Sequence, residues 1–202
     1  MTRRLVVLAV VLALVGGGSA WWFTRGDGAP GADAGPRPET AFPRAVATDD
    51  PALDEGRSDP QEDSYYPRVG DPGVDVLHYG LDLTWDHEAA VLTGLATLTL
   101  RATDDAPQFQ LDLGQPLTVT EVLVDGQAAP WTHPGKDLVV DAPVTGDDRY
   151  TVQIAYHGTP EPVAAPVTRS DFSTVGWTTT PLNEVWTMQE PFGAFTWYPV
   201  ND

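Results

Sequence analysis

Beyond Ser64, apolar side chains recur at every second position, and only a pleated strand places alternate residues on one face. Tyr79, Leu81, Leu83 and Trp85 alternate with polar or small neighbours, as do Leu92, Ala96, Leu98 and Leu100. Phe109, Leu111 and Leu113 repeat the pattern, as do Tyr150, Val152, Ile154 and Tyr156. Val122 and Val124 run into Asp125-Gly126, a dipeptide suited to a tight hairpin turn. Leu117 and Val119 are out of phase with Val122 and Val124, which predicts a bulge near Thr120. No amphipathic helical window interrupts these segments. The spacing predicts an all-β domain, a sheet or sandwich of short strands, over residues 64–202.

The region before it divides in two. Arg3 and Arg4 precede an apolar run, Leu5 to Val15, followed by Gly16-Gly17-Gly18-Ser19-Ala20 and Trp21-Trp22-Phe23. Residues 1–23 read either as a signal peptide cleaved at the small residues or as a helical membrane anchor. The aromatic pair, suited to a membrane interface, favours the anchor. Both readings place the rest of the chain outside the cytoplasm. Residues 24–63 are rich in Gly, Pro, Ala and Asp without apolar periodicity, and predict a disordered linker. Arg25-Gly26-Asp27 is read there as a chance triplet.

The charge is −18 over 202 residues. Such a surface repels phosphate backbones, so nucleic acid is set aside as a partner. There is no cysteine, which excludes disulfides, thiolate zinc sites and a cysteine nucleophile.

Constellations for catalysis are incomplete. His87-Glu88-Ala89-Ala90-Val91 lacks the second histidine of a HExxH zinc motif, and it reads as a turn between strands. His78, His133 and His157 are scattered. Asp104-Asp105 and Asp147-Asp148 fall in turns, where paired carboxylates are usually solvated. Trp131 reads as packing. Trp177, Trp186 and Trp197 read either as packing or as the lining of a peptide or carbohydrate groove.

Five segments in order carry a family resemblance. They are Asp75–Asp86, Leu92–Ala102, Phe109–Gln127, Tyr150–Pro162 and Met188–Asp202, the last reading MQEPFGAFTWYPVND. Together they resemble the N-terminal domain of the aminopeptidase N family of zinc metallopeptidases. The resemblance implies a saddle-like β domain packed against a catalytic domain in cis. That later domain would supply zinc ligands and a general base, so this chain would itself bind no zinc and hold no catalytic residue. It implies peptides with a free N-terminus as substrates, and a reading frame extending past Asp202.

One site residue carries over. The family's Gln or Glu that binds the substrate's free α-amine matches Glu190, with Gln189 and Met188 as first-subsite neighbours. A carboxylate facing an ammonium makes a charge-assisted hydrogen bond and selects against blocked N-termini. Many members have Gln where Met188 stands, Arg at Phe195 and Cys at Val200. The rival to this reading is a non-catalytic, exported β-sandwich binding peptide or carbohydrate through Trp177, Trp186 and Trp197. A pseudo-enzyme and an epoxide-hydrolysing relative share the same N-terminal pattern.

Overall fold

The computed structural model describes residues 41–201. The leader expected at 1–23, and residues 24–40 of the expected linker, lie outside them. A single 3-10 turn, Pro51–Gly56, precedes β1 (Val74–Asp86) and β2 (Val91–Ala102). Next come β3 (Phe109–Asp112), β4 (Leu117–Val124), β5 (Gln127–Ala128), β6 (Trp131–Thr132) and β7 (Asp137–Val140). After β8 (Arg149–Gly158) the chain forms β9 (Val163–Ala164), β10 (Thr174–Thr179) and β11 (Val185–Met188), then a short 3-10 turn at Ala194–Thr196. The fold is all-β, as the alternation predicts.

Three antiparallel sheets result. The five-stranded sheet has the order β1-β2-β8-β4-β5, and the other two have the orders β11-β10-β9 and β3-β7-β6. In the large sheet Leu98 lies opposite Val152 and Ala96 opposite Ile154, all four fully buried. Leu111, Leu138 and Val140 bring β3 and β7 into the same core. Gly94 lies opposite Tyr156, and a Cβ at Gly94 would collide with the Tyr156 ring. Small against large at this crossing lets the ring fill the core without pushing β2 away.

The turn chemistry is also as expected. Asp125 and Gly126 have φ values of 49° and 75°, joining β4 to β5 through a two-residue loop. The β4–β8 register shifts between Val119 and Glu121, so Thr120 is the bulged residue. A second shift falls between Val76 and His78 on β1, where no phase break in the apolar pattern announces it.

Residues 43–58 correct the linker expectation over that span, because they lie on the outer face of the large sheet. The Pro43 carbonyl accepts from Thr97 Oγ1 at 2.9 Å. Leu53 is buried, and Arg149 donates to the Thr48 carbonyl at 3.2 Å and pairs with Asp54. Ser58 donates to Asp75 through its backbone N–H, at 2.9 Å, and its hydroxyl, at 2.8 Å. Thr97, Thr99 and Arg101 are therefore buried, although alternation assigns them to the solvated face of β2. The segment is held chiefly by hydrogen bonds and ion pairs, so no apolar period marks it.

Arg101 anchors this cover. It lies directly opposite Asp75 in the β1–β2 register, 3.2 Å away, and both side chains are about 95% buried. Removing one partner of a buried pair strands the other charge, at a typical cost of about 3–5 kcal/mol. Asp75→Ala is expected to lower unfolding free energy by about that amount in denaturant titrations. Limited proteolysis should then cut within residues 43–58 faster than in the parent chain.

Candidate functional site

The matching segment begins where β11 ends. Met188 pairs with Gly176 in the β10–β11 ladder, and residues 189–193 turn back beneath it. The turn closes through the Gly193 N–H donating to the Gln189 carbonyl at 2.5 Å. Thr196 then locks it to β10. Its hydroxyl donates to the Gly193 carbonyl at 2.8 Å and accepts from the Trp177 N–H at 2.9 Å. Gly176 has φ 94° and lies under the Thr196 side chain, while a Cβ at Gly193 would collide with the Met188 carbonyl. Both glycines are thus required by close approach.

This frame presents Glu190 at the surface, 78% exposed. Gln189 shares the turn, and its Nε2 donates to Thr187 Oγ1 at 3.0 Å. Met188 stays in the ladder and is half-buried. The antiparallel pairing of β9, β10 and β11 brings the loop of residues 165–173 to the same end of the sheet. From that loop Arg169 Nη1 reaches within 3.2 Å of Glu190 Oε1. Arg169 also grips Asp171 through two hydrogen bonds of 2.9 Å each. Its guanidinium lies 5.1 Å from the centre of the Phe172 ring. The hydrogen bond from Arg169 holds the Asp171 carboxyl below the usual range, and the same contact raises the guanidinium. Sequence reasoning did not find Arg169 or Asp171. The contact to Glu190 spans a strand pair, and a lone TRSD stretch gives no local sign of it.

The remaining candidates resolve as structure. His87-Glu88-Ala89 forms the β1–β2 turn, capped by Asp86 Oδ1 accepting from the Glu88 and Ala89 N–H groups. His133 is hydrogen-bonded to the Leu113 carbonyl at 2.8 Å. Asp147 pairs with Arg57 and Arg101 at 2.8 and 2.9 Å, so it braces the cover. Trp131 packs against the core. The proposed tryptophan groove does not form. Trp177 is 7% exposed within the core, with Trp85 and Trp197 against it at 5.2 and 6.0 Å, while Trp186 stands alone at the surface. Phe195 and Val200, two departures from the family pattern, are buried together with Ala194. Among the described residues no three His, Cys, Asp or Glu side chains are placed to hold a metal ion.

No protein-family model matches the sequence, and no curated protein matches it. Solved structures do match. A two-domain M1 zinc metallopeptidase, a point mutant bound to L-tryptophan, is 28% identical with a TM-score of 0.62. An M1 zinc metallopeptidase mutant from Deinococcus radiodurans, bound to a Tyr-Ser-Ala substrate, is 29% identical with a TM-score of 0.60. The M1 zinc metallopeptidase of that organism without the mutation is 27% identical with a TM-score of 0.60. Each match covers 69% of this chain and 32% of the other. The described residues thus have the fold of the N-terminal domain of M1 zinc metallopeptidases, which bears out the resemblance read from the five segments. This chain spans about a third of the length of those enzymes.

One buried contact ties the site segment to the large sheet. The Tyr156 hydroxyl donates to the Trp197 carbonyl at 3.0 Å. Burial, and secondarily the neighbouring Tyr198, push the Tyr156 phenol far above its ordinary value. A phenol with a raised folded-state pKa stabilises fully below the unfolded value of about 10, and that contribution is lost as pH rises beyond it. The parent chain is therefore expected to lose more stability between about pH 9 and pH 11.5 than Tyr156→Phe does. Near neutrality the variant should be weaker by about 1 kcal/mol for the lost hydrogen bond. Guanidinium midpoints at the two pH values check both signs.

Proposed function

We propose that this chain is the substrate-proximal N-terminal domain of an exported, zinc-dependent aminopeptidase. In this reading Glu190 accepts the free α-amine of a peptide, and Gln189 and Met188 border the first subsite. A catalytic domain in cis supplies the zinc ligands and the general base. The observation that carries the reading is the likeness to M1 zinc metallopeptidases, one of them solved with a Tyr-Ser-Ala substrate. The exposed Glu190, held on a braced turn at the end of a sheet, supports it. An exposed carboxylate on a rigid element suits a group that must meet a ligand brought by another domain.

Export and membrane attachment belong to the same proposal and rest on the apolar run from Leu5 to Phe23. Among the described residues no helix is long and apolar enough to cross a membrane, and the apolar run lies outside them.

The test is steady-state kinetics of the full-length enzyme carrying Glu190→Ala. Removing one side of a desolvated charge pair costs about 2 kcal/mol or more, roughly a thirtyfold rise in KM for aminoacyl substrates. Unchanged KM would remove Glu190 from the substrate site.

A further inference from the structure

Going one step deeper than the amine-anchor reading, and resting on it, we infer that Arg169 and Asp171 set the aim and the charge of that subsite. Arg169 positions the Glu190 carboxylate, and Asp171 cancels the charge of Arg169 so that the subsite remains anionic.

The geometry assigns each nitrogen of Arg169. Its Nε and Nη2 are committed to Asp171, and its Nη1 faces Glu190 Oε1. A bidentate fork holds a guanidinium in one plane, which a lysine ammonium would not do. The Phe172 ring and a side chain that is 19% exposed limit its remaining freedom. The Arg169 backbone is fixed as well, its N–H donating to the Pro166 carbonyl at 2.9 Å. One oxygen of Glu190 therefore lies 3.2 Å from a held cation, as an ion pair without hydrogen-bond geometry, and among the described residues Oε2 has neither an ion-pair nor a hydrogen-bond partner. That oxygen is the one an ammonium would take.

Charge decides the role of Asp171. Arg169 and Glu190 alone would neutralise each other, and a substrate ammonium would meet no net attraction. With Asp171 the three side chains carry a net charge of minus one, which a single α-ammonium brings to zero. The lowered Asp171 carboxyl keeps that charge in place through the neutral range. Arg169 thus acts through Glu190 as a positioning residue, and Asp171 acts through Arg169.

Kinetics of the full-length enzyme separate charge from aim at low ionic strength, where such terms are least screened. The variants are Asp171→Asn, the double variant Arg169→Gln with Asp171→Asn, and Glu190→Gln, with melting temperatures recorded for each. Asp171→Asn makes the cluster neutral and is expected to raise KM for peptides with a free amine about tenfold, with kcat within about twofold. The double variant restores the net charge of minus one, so KM should return to within about threefold of the parent. Its kcat should fall, because Glu190 is no longer aimed. A merely structural role predicts the opposite order, with the double variant the worse of the two in KM and in melting temperature. Unchanged KM in Asp171→Asn, or no recovery in the double variant, overturns the inference while a raised KM in Glu190→Gln leaves the amine anchor standing. Unchanged KM in Glu190→Gln overturns both.

Discussion

Arg101 carries a full charge into the sheet, and burying an isolated guanidinium costs several kcal/mol unless its donors are met. Three partners meet them from different parts of the chain. Asp75 comes from the paired strand, Asp147 from the turn before β8, and the Ser58 carbonyl from the cover at 2.6 Å. Each of these positions follows from the others. Asp75 stands opposite Arg101 only in the observed β1–β2 register, and a one-residue slip would send it to the opposite face. Ser58 reaches Arg101 only if residues 43–58 cross the outer face, and Thr97 and Thr99 are buried as a consequence. A sheet with one ionic centre on its polar face thus acquires a second covered side without a second apolar layer.

The other end of the chain is fixed by a comparable device. Asp112 is fully buried, pairs with Lys136 at 2.7 Å and accepts from the Gly70 N–H at 2.9 Å. Its backbone exchanges two hydrogen bonds with Val200, of 2.8 and 2.9 Å. Asn201 continues the anchoring, donating from Nδ2 to the Val74 carbonyl at 2.7 Å and accepting from the Asp71 N–H at 2.6 Å. The Glu190 turn therefore lies between the β10–β11 ladder on one side and the Tyr156, Asp112 and Asn201 contacts on the other. A group supported on both flanks has little freedom left to lose, so the proposed amine anchor would meet a ligand already oriented.

The strands were legible because their cause is local. Alternation at Tyr79–Trp85 and Tyr150–Tyr156 reports a pleat with one buried face, and Asp125-Gly126 reports two residues that tolerate positive φ. The phase break before Val122 located the Thr120 bulge for the same reason. The cover was not legible, because Pro43, Asp54 and Ser58 are held by Thr97, Arg149, Asp75 and Arg101, partners 17 to 95 residues distant. Polar contacts over such separations leave no periodic trace. Glu190 is singled out only by the resemblance, since an acidic residue before a proline turn is ordinary by itself. Its neighbours Arg169 and Asp171 had neither period nor motif. The tryptophans show the converse, since composition offered a groove and packing placed Trp177 in the core with Trp197 against it.

In the proposed reading, the position of Glu190 and the charge around it are set by different residues. The ladder that holds Glu190 depends on Gly176, Gly193 and Thr196, where a larger or less polar side chain would collide or lose a buried hydrogen bond. The charges around Glu190 come instead from residues 165–173, a surface loop that contributes only Arg169 and Asp171 to the cluster. A connecting loop tolerates substitution better than the elements it joins. The sign and strength of the field at Glu190 can therefore change through two loop residues while the sheet, its cover and the turn remain as they are. A frame built from alternation and buried ion pairs thus leaves the charge of its proposed binding surface free to vary.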